Sequence, residues 1–261
     1  MISSEEIKKN LNTNIIGSEI VYYPSVDSTN NIAKKMAEEG CQEGVIVIAD
    51  HQTKGRGRRG KSWNSPYGKG IWASIVLRPL IPPVRSAAFT LTAAVSVCRA
   101  LRQSTGLKIN IKWPNDLRIN YKKIGGILTE LNAETYRLNH VVIGIGINIE
   151  NEIFPDELGN IATSLRLESD GESRFNKVGI LTSILNEFEN DYKRFLAGGL
   201  EDILEEWRRY SDTLGEQVQV IDYKGSYTGK ALDIDSDGAL LIEKKDGTLT
   251  KVTSGEVSLR V

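Results

Sequence analysis

The chain has 261 residues, enough for one sizeable domain and a small appendage. With 33 Lys and Arg against 34 Asp and Glu the net charge is −1, which argues against a dedicated nucleic-acid binder, and 2 histidines are too few for a zinc centre or a Ser-His-Asp triad. The widely separated Cys41 and Cys98 predict reduced thiols; the N-terminus lacks a charged-then-apolar signal pattern, and no run approaches the roughly 18 apolar residues of a membrane span.

Residues 1–18 read as a polar, weakly helical leader, too short to fold as a separate DNA-binding module. Residues 19–24 read as a strand that runs into Asp27, Ser28, Thr29 and Asn30. An amphipathic helix follows, with Ile32, Ala33, Met36 and Ala37 on one side and Gly40 at its end. Asp27 or Ser28 suffices as its cap, so the remaining hydroxyl and amide groups are left for a small polar ligand. Residues 45–49 form a buried strand that delivers Gln52 to the mouth of a loop, KGRGRRGK, running from Lys54 to Lys61. Five cations and three glycines in eight residues predict a segment that is mobile when empty and needs an anion to order it. The glycines admit the backbone close to a phosphate or carboxylate and turn its amides inward, and the arginines act as donor forks. A solvated basic loop and a nucleic-acid arm are the competing readings. Trp63, directly after the loop, is either core or a platform for a flat ring.

Residues 70–77 form the next strand, and 84–103 a long helix buried on one side. The strand at 109–112 ends in Lys112-Trp113-Pro114-Asn115-Asp116. Pro114 constrains Trp113, so the pentapeptide is expected to leave the sheet and present a cation, an amide and a carboxylate in a compact turn. Residues 117–119 and 123–131 make a hairpin turning at Asn120-Tyr121, and Gly125 and Gly126 on its return strand suggest a bulge or a close backbone approach. Residues 138–149 form a strand carrying Gly144, Gly146 and Asn148. This Gly-Ile-Gly is weak as a dinucleotide fingerprint, because it lies inside a strand with no helix after it. A loop-rich stretch, 150–176, includes a turn at 169–171. Helices are predicted over 177–196 and 200–210. Beyond residue 214 the pattern alternates, with turns at 222–225, 235–238 and 246–247, and describes a small β-barrel docked on the main domain.

Asp27-Ser28-Thr29-Asn30, Gln52, Gly55-Arg56-Gly57-Arg58-Arg59-Gly60 with Trp63, the Lys112–Asp116 pentapeptide, Lys123-Ile124-Gly125-Gly126-Ile127-Leu128, Gly144-Ile145-Gly146-Ile147-Asn148 and Gly255-Glu256-Val257-Ser258-Leu259-Arg260 occur together and in order. In this the chain resembles the biotin protein ligases from about residue 19 onward. The resemblance implies an α+β fold: a leader (1–18), a class II synthetase-like catalytic domain (19–212) built on a mixed β-sheet with helices on one face, and a C-terminal SH3-like β-barrel (213–261). It implies ATP-dependent activation of biotin as biotinyl-5′-AMP, then transfer to a specific lysine of a biotin carboxyl carrier protein domain of a carboxylase. A cytoplasmic enzyme with no DNA or membrane partner is expected. By similarity, Ser28, Thr29, Asn30 and Gln52 bind the biotin head group, and Arg56, Gly57 and Arg58 enclose the carboxylate and the adenylate linkage. Lys112 lies nearest the developing charge, with Lys123 as a second contact and Gly126 beside it. Trp63, Asn115 and Asn148 join Lys112 in holding the nucleotide. Mg2+ arrives on the ATP phosphates, with Asp116 or Asn115 as contacts. The short leader resembles the monofunctional form, which is expected not to repress transcription. Two other readings stand beside this one. A lipoate or octanoate ligase of the same superfamily would not need polar partners at Ser28, Thr29 and Gln52; a non-catalytic nucleic-acid-binding module would use the basic loop. A homodimer paired through sheet edges and a monomer both remain open.

Overall fold

The computed structural model describes residues 3–169, 175–222, 225–253 and 256–259. The expected turns at 169–171 and 222–225 fall partly outside the described residues, and Gly255 and Arg260 wholly so.

Seven strands form the main sheet: β1 (Ile20–Tyr23), β2 (Ile46–Ala49), β3 (Gly70–Leu77), β4 (Asn110–Lys112), β5 (Asp116–Ile119), β6 (Lys122–Ala133) and β7 (Leu138–Asn148), in the order β1-β2-β3-β7-β6-β5-β4. Only β1 and β2 run parallel, and a parallel pair needs a crossover, which helix α2 (Thr29–Glu38) supplies. The β5–β6 hairpin turns on Asn120 and Tyr121, both at positive φ (49° and 64°), as a two-residue reversal between twisted strands requires. Lys112 and Asp116 do not leave the sheet as expected. They face each other as register partners on β4 and β5, and only Trp113, Pro114 and Asn115 make the turn.

Alternation along β7 decides what each face does. Ile143, Ile145 and Ile147 enter the core, while Val142, Gly144, Gly146 and Asn148 turn to the other side. Helices α3 (Ala87–Thr105), α5 (Lys177–Leu196) and α6 (Leu200–Tyr210) stack over the isoleucine side. On the opposite side α2 packs Ala33 and Ala37 against Val45, Val47, Val76 and Val142, leaving the rest of that face uncovered. The segment Pro83–Thr105 has the length and composition of a membrane span, which the sequence reading overlooked, but α3 lies largely buried in the core. A short helix, α4 (Leu165–Glu168), breaks the loop-rich stretch.

The leader is packed onto the domain. Helix α1 (Ser4–Asn10) buries Ile7, and Ile16 joins the same core. The Glu189 carboxylate on α5, only 2% exposed, accepts the backbone amides of Asn14, Ile15 and Ile16 at 2.7, 2.8 and 2.7 Å. Burial alone raises this carboxyl, but the Lys193 ammonium and the three amides outweigh it and hold it below its ordinary value. Glu189→Ala is expected to cost about 2 kcal/mol at neutral pH by chemical denaturation. Because the folded pKa is depressed, that contribution is complete above the ordinary carboxylate value and disappears as pH falls through the lowered one.

The C-terminal unit is an antiparallel sheet of β8 (Gln217–Asp222), β9 (Gly225–Ile234), β10 (Leu240–Lys244), β11 (Leu249–Val252) and β12 (Glu256–Leu259), ordered β11-β10-β9-β8-β12. Trp113 pins it to the main sheet. Its backbone N–H donates to Thr213 Oγ1 at 3.0 Å, and its Nε1 to the Gly238 carbonyl at 3.1 Å. Gly238 (φ +82°) approaches α3 so closely that a Cβ there would lie 2.2 Å from Leu91 Cδ1.

Candidate active site

The rest of this sheet face is opened at its centre by Gly144, Gly146 and Gly126. Across the ladder, Ser74, Gly144 and Leu128 form one row; Trp72, Gly146 and Gly126 form the next. Asn30 lies on the first row, and a Cβ on Gly144 would stand 2.1 Å from its Oδ1. Trp63 lies on the second, and a Cβ on Gly146 would stand 2.7 Å from its Nε1. The Gly-Ile-Gly spacing is thus explained by period two: isoleucine for the core, glycine where side chains from elsewhere press on the strand. Above the floor is a cavity of about 470 Å³, within the range of small-ligand sites.

One end of the cavity is polar and uncharged. Ser28, Thr29 and Asn30 begin α2 and are almost fully buried. Neither expected cap serves the helix in the usual way: the Ser28 hydroxyl makes no capping bond, and Asp27 accepts from the Ser28 N–H and from Asn31 Nδ2. Gln52 does that work, its Oε1 accepting the Thr29 N–H at 2.8 Å and the Thr29 hydroxyl at 3.1 Å while its Nε2 donates to Ser65 Oγ. Ser74 Oγ lies 2.8 Å from Thr29 Oγ1 and donates to Asn30 Oδ1 at 2.6 Å.

The other end is cationic. The expected bulge falls where β5 and β6 shift register between Leu117 and Arg118, so that Lys123 rather than Ile124 shares a side with Gly126. Lys123 Nζ reaches Asp116 Oδ1 at 2.6 Å and sits 5.1 Å from the Trp63 ring centre. Lys112, Asn115 and Asn148 line the same cavity, and the Asn148 amide donates to the Thr163 carbonyl at 3.1 Å. Behind Lys112, burial pushes the Asp212 carboxyl up, with Arg118 and Lys112 pulling it the other way. Among the described residues no group of three or more His, Cys, Asp or Glu comes together to hold a metal. Asp116 is paired with Lys123, and Asn115 is committed at both ends, to Arg58 Nη1 at 3.0 Å and to the Ile127 carbonyl at 2.8 Å. These side chains do not form a resident cation site, and contact of Asp116 or Asn115 with a cation carried in on ATP stays a proposal.

The basic loop folds over the cavity as a narrow hairpin, the Gly57 amide donating to the Lys61 carbonyl at 2.7 Å and the Trp63 amide to Gly55 at 2.9 Å. Arg59 (φ 55°) and Gly60 (φ 76°) make its left-handed tip. One expectation changes here: the Gly57 amide is spent inside the loop rather than turned inward. The arginines find acceptors within the protein. Arg58 reaches Asn115, Arg59 the Ile221 carbonyl of β8, and Arg56 the Glu130 carboxylate. Sequence reasoning missed Ser65, Ser74 and Glu130. Ser74 carried a signal, a lone hydroxyl inside an otherwise apolar strand; Glu130 falls in step with Gly126 and Leu128 on β6; Ser65 had none.

The chain matches the Biotin/lipoate A/B protein ligase family over residues 22–148 and the Biotin protein ligase C terminal domain over residues 213–260. It is 40% identical over 260 residues to the Bifunctional ligase/repressor BirA of Bacillus subtilis (strain 168), covering 99% of this chain and 79% of that one. It is 30% identical over 236 residues to the Biotin--[acetyl-CoA-carboxylase] ligase of Mycobacterium tuberculosis, covering 88% and 85%. The solved Biotin protein ligase from Aquifex aeolicus in complex with biotin and ATP aligns with a TM-score of 0.80 at 29% identity, over 93% of this chain and 99% of that one. Glycine-floored cavity, basic loop and both matched segments agree, and the chain belongs to the biotin protein ligase family.

Proposed function

We infer that this chain is an ATP-dependent ligase that activates biotin as biotinyl-5′-AMP and passes the biotinyl group to one lysine of a biotin carboxyl carrier protein. The observation that carries this reading is a single cavity with buried hydroxyls and amides at one end and lysines at the other, joined over Gly144 and Gly146. A ureido ring needs such donors and acceptors, and a fatty chain would leave them unpaired, which disfavours lipoate or octanoate.

In the first step a carboxylate oxygen of biotin attacks the α-phosphorus of ATP, the P–O bond to the β-phosphate breaks, and pyrophosphate leaves. Two anions must meet, and the ammonium groups of Lys112 and Lys123 offset their repulsion as charge develops. In the second step the acceptor lysine's amine attacks the acyl carbon, the anhydride C–O bond breaks, and AMP leaves. Trp63 and Asn148 are proposed to hold the adenosine part. Mg2+ is proposed to enter with ATP as part of the substrate. The relative named as an acetyl-CoA-carboxylase ligase supports the carrier domain of that enzyme as acceptor. The free thiols of Cys41 and Cys98 suit the cytoplasm, where we place the enzyme.

The mixed anhydride must be kept from water and stray amines until the carrier arrives. Arg58 closes the loop onto Asn115, so Arg58→Gly is expected to speed release of the intermediate by about tenfold and to label bystander lysines, read by its dissociation rate. Transfer is tested by incubating enzyme, biotin and ATP with a purified carrier domain. Intact mass is expected to rise by one biotinyl group on one lysine; no increase would contradict the assignment.

A further inference from the structure

Glu130 is absent from the lining of the cavity but touches two of its working parts. On β6 it lies on the same side as Gly126 and Leu128. Its carboxylate takes the guanidinium of Arg56 as a fork, Oε1 to Nη2 at 2.9 Å and Oε2 to Nη1 at 3.1 Å. Arg56 Nη1 donates a further bond to Asn31 Oδ1 at 2.7 Å, so both terminal nitrogens of this loop arginine are engaged by the protein. The same Glu130 Oε2 accepts Asn30 Nδ2 at 2.9 Å, while Ser74 holds the other end of that amide. One carboxylate thus ties the loop to the residue that lies across Gly144. A carboxylate beside a cavity for anions would repel them unless its charge were matched, and the Arg56 fork matches it.

We propose that Glu130 is a positioning residue that latches the basic loop shut through Arg56 and fixes the orientation of Asn30. The pair is neutral, so Arg56 adds little net charge to the field over the cavity. The effect on the intermediate rests on the ligase reading above; the closed loop itself does not.

Glu130→Gln keeps the size of the side chain and an oxygen for Asn30 while removing the charge that Arg56 grips. In the ligand-free enzyme, tryptic cleavage at Arg59 and Lys61 is expected to accelerate about fivefold. Release of preloaded biotinyl-5′-AMP is expected to be about tenfold faster, equivalent to about 1.4 kcal/mol, and less dependent on salt than in the wild type. The thermal midpoint should stay within about 2 °C. Should this variant fail to fold, Asn31→Ala removes the third bond to Arg56 and is expected to speed both cleavage and release about threefold. Cleavage and release both unchanged from wild type, in Glu130→Gln or in a substituted Asn31→Ala, overturn the latch. A wild-type enzyme without biotin-dependent exchange overturns the ligase reading instead, and the cleavage rates then decide the latch alone.

Discussion

Replacing Lys123 with methionine is expected to slow biotin-dependent exchange of labelled pyrophosphate into ATP by about 10²- to 10³-fold, the loss typical when one preorganised charge is removed from a reacting centre. The position of this lysine is over-determined. A register shift turns it toward Gly126, the Asp116 carboxylate holds its ammonium at 2.6 Å, and the Trp63 face lies 5.1 Å away. Methionine preserves the stem packed over Gly126 and deletes only the charge. Loss of stabilisation for the meeting anions should appear mainly in kcat, with the KM for biotin changed far less. If Lys123→Met retained exchange within about threefold of wild type, the cationic end would not be where the anions meet.

Gly144→Ala is expected to raise the KM for biotin by about 10- to 100-fold while leaving that for ATP nearly unchanged. A methyl group there would lie 2.1 Å from Asn30 Oδ1, and 2.9 and 3.0 Å from its Cγ and Nδ2, inside van der Waals contact. Asn30 has nowhere to go: its nitrogen is bonded to Glu130 and to the Leu128 carbonyl, and its oxygen to Ser74. Yielding breaks at least one buried hydrogen bond, which costs about 1–3 kcal/mol, and it deforms the polar end of the cavity only. The end proposed for the nucleotide rests on Gly146 and Asn148, further along β7. Equal losses for biotin and ATP in steady-state kinetics would contradict this division of the cavity.

Much of this arrangement was legible in the chain because its chemistry is concentrated in contiguous runs. The helices at Lys177–Leu196 and Leu200–Tyr210 match the expected bounds, since their apolar residues repeat at helical spacing and one buried face dominates. Ser28, Thr29, Asn30, Gln52, Lys112, Lys123 and Gly126 do come together around one cavity. What was hidden depends on register and on distant partners. Whether Lys123 faces the cavity or the core is a matter of parity, which the bulge opposite Leu117 and Arg118 resets. The role of Trp113 as the pin of the C-terminal sheet requires a carbonyl 125 residues away. The loop read as a cluster of repelling charges because its acceptors, Glu130, Asn115 and the Ile221 carbonyl, lie on three separate strands or turns. Pro114 suggested a departure from the sheet, whereas the turn it helps make is confined to three residues between paired strands.

The central claim is that the polar pocket at the start of α2 and the lysines beside Trp63 act on one carboxylic acid and one nucleotide in the same cavity. Biotin-dependent exchange of labelled pyrophosphate into ATP by the wild-type enzyme tests it most directly, because it reports the first half-reaction without an acceptor protein. The account predicts rapid incorporation of label with biotin and background incorporation without it or with lipoate or octanoate in its place. Background exchange in the presence of biotin, or equal exchange with a fatty acid, would contradict it.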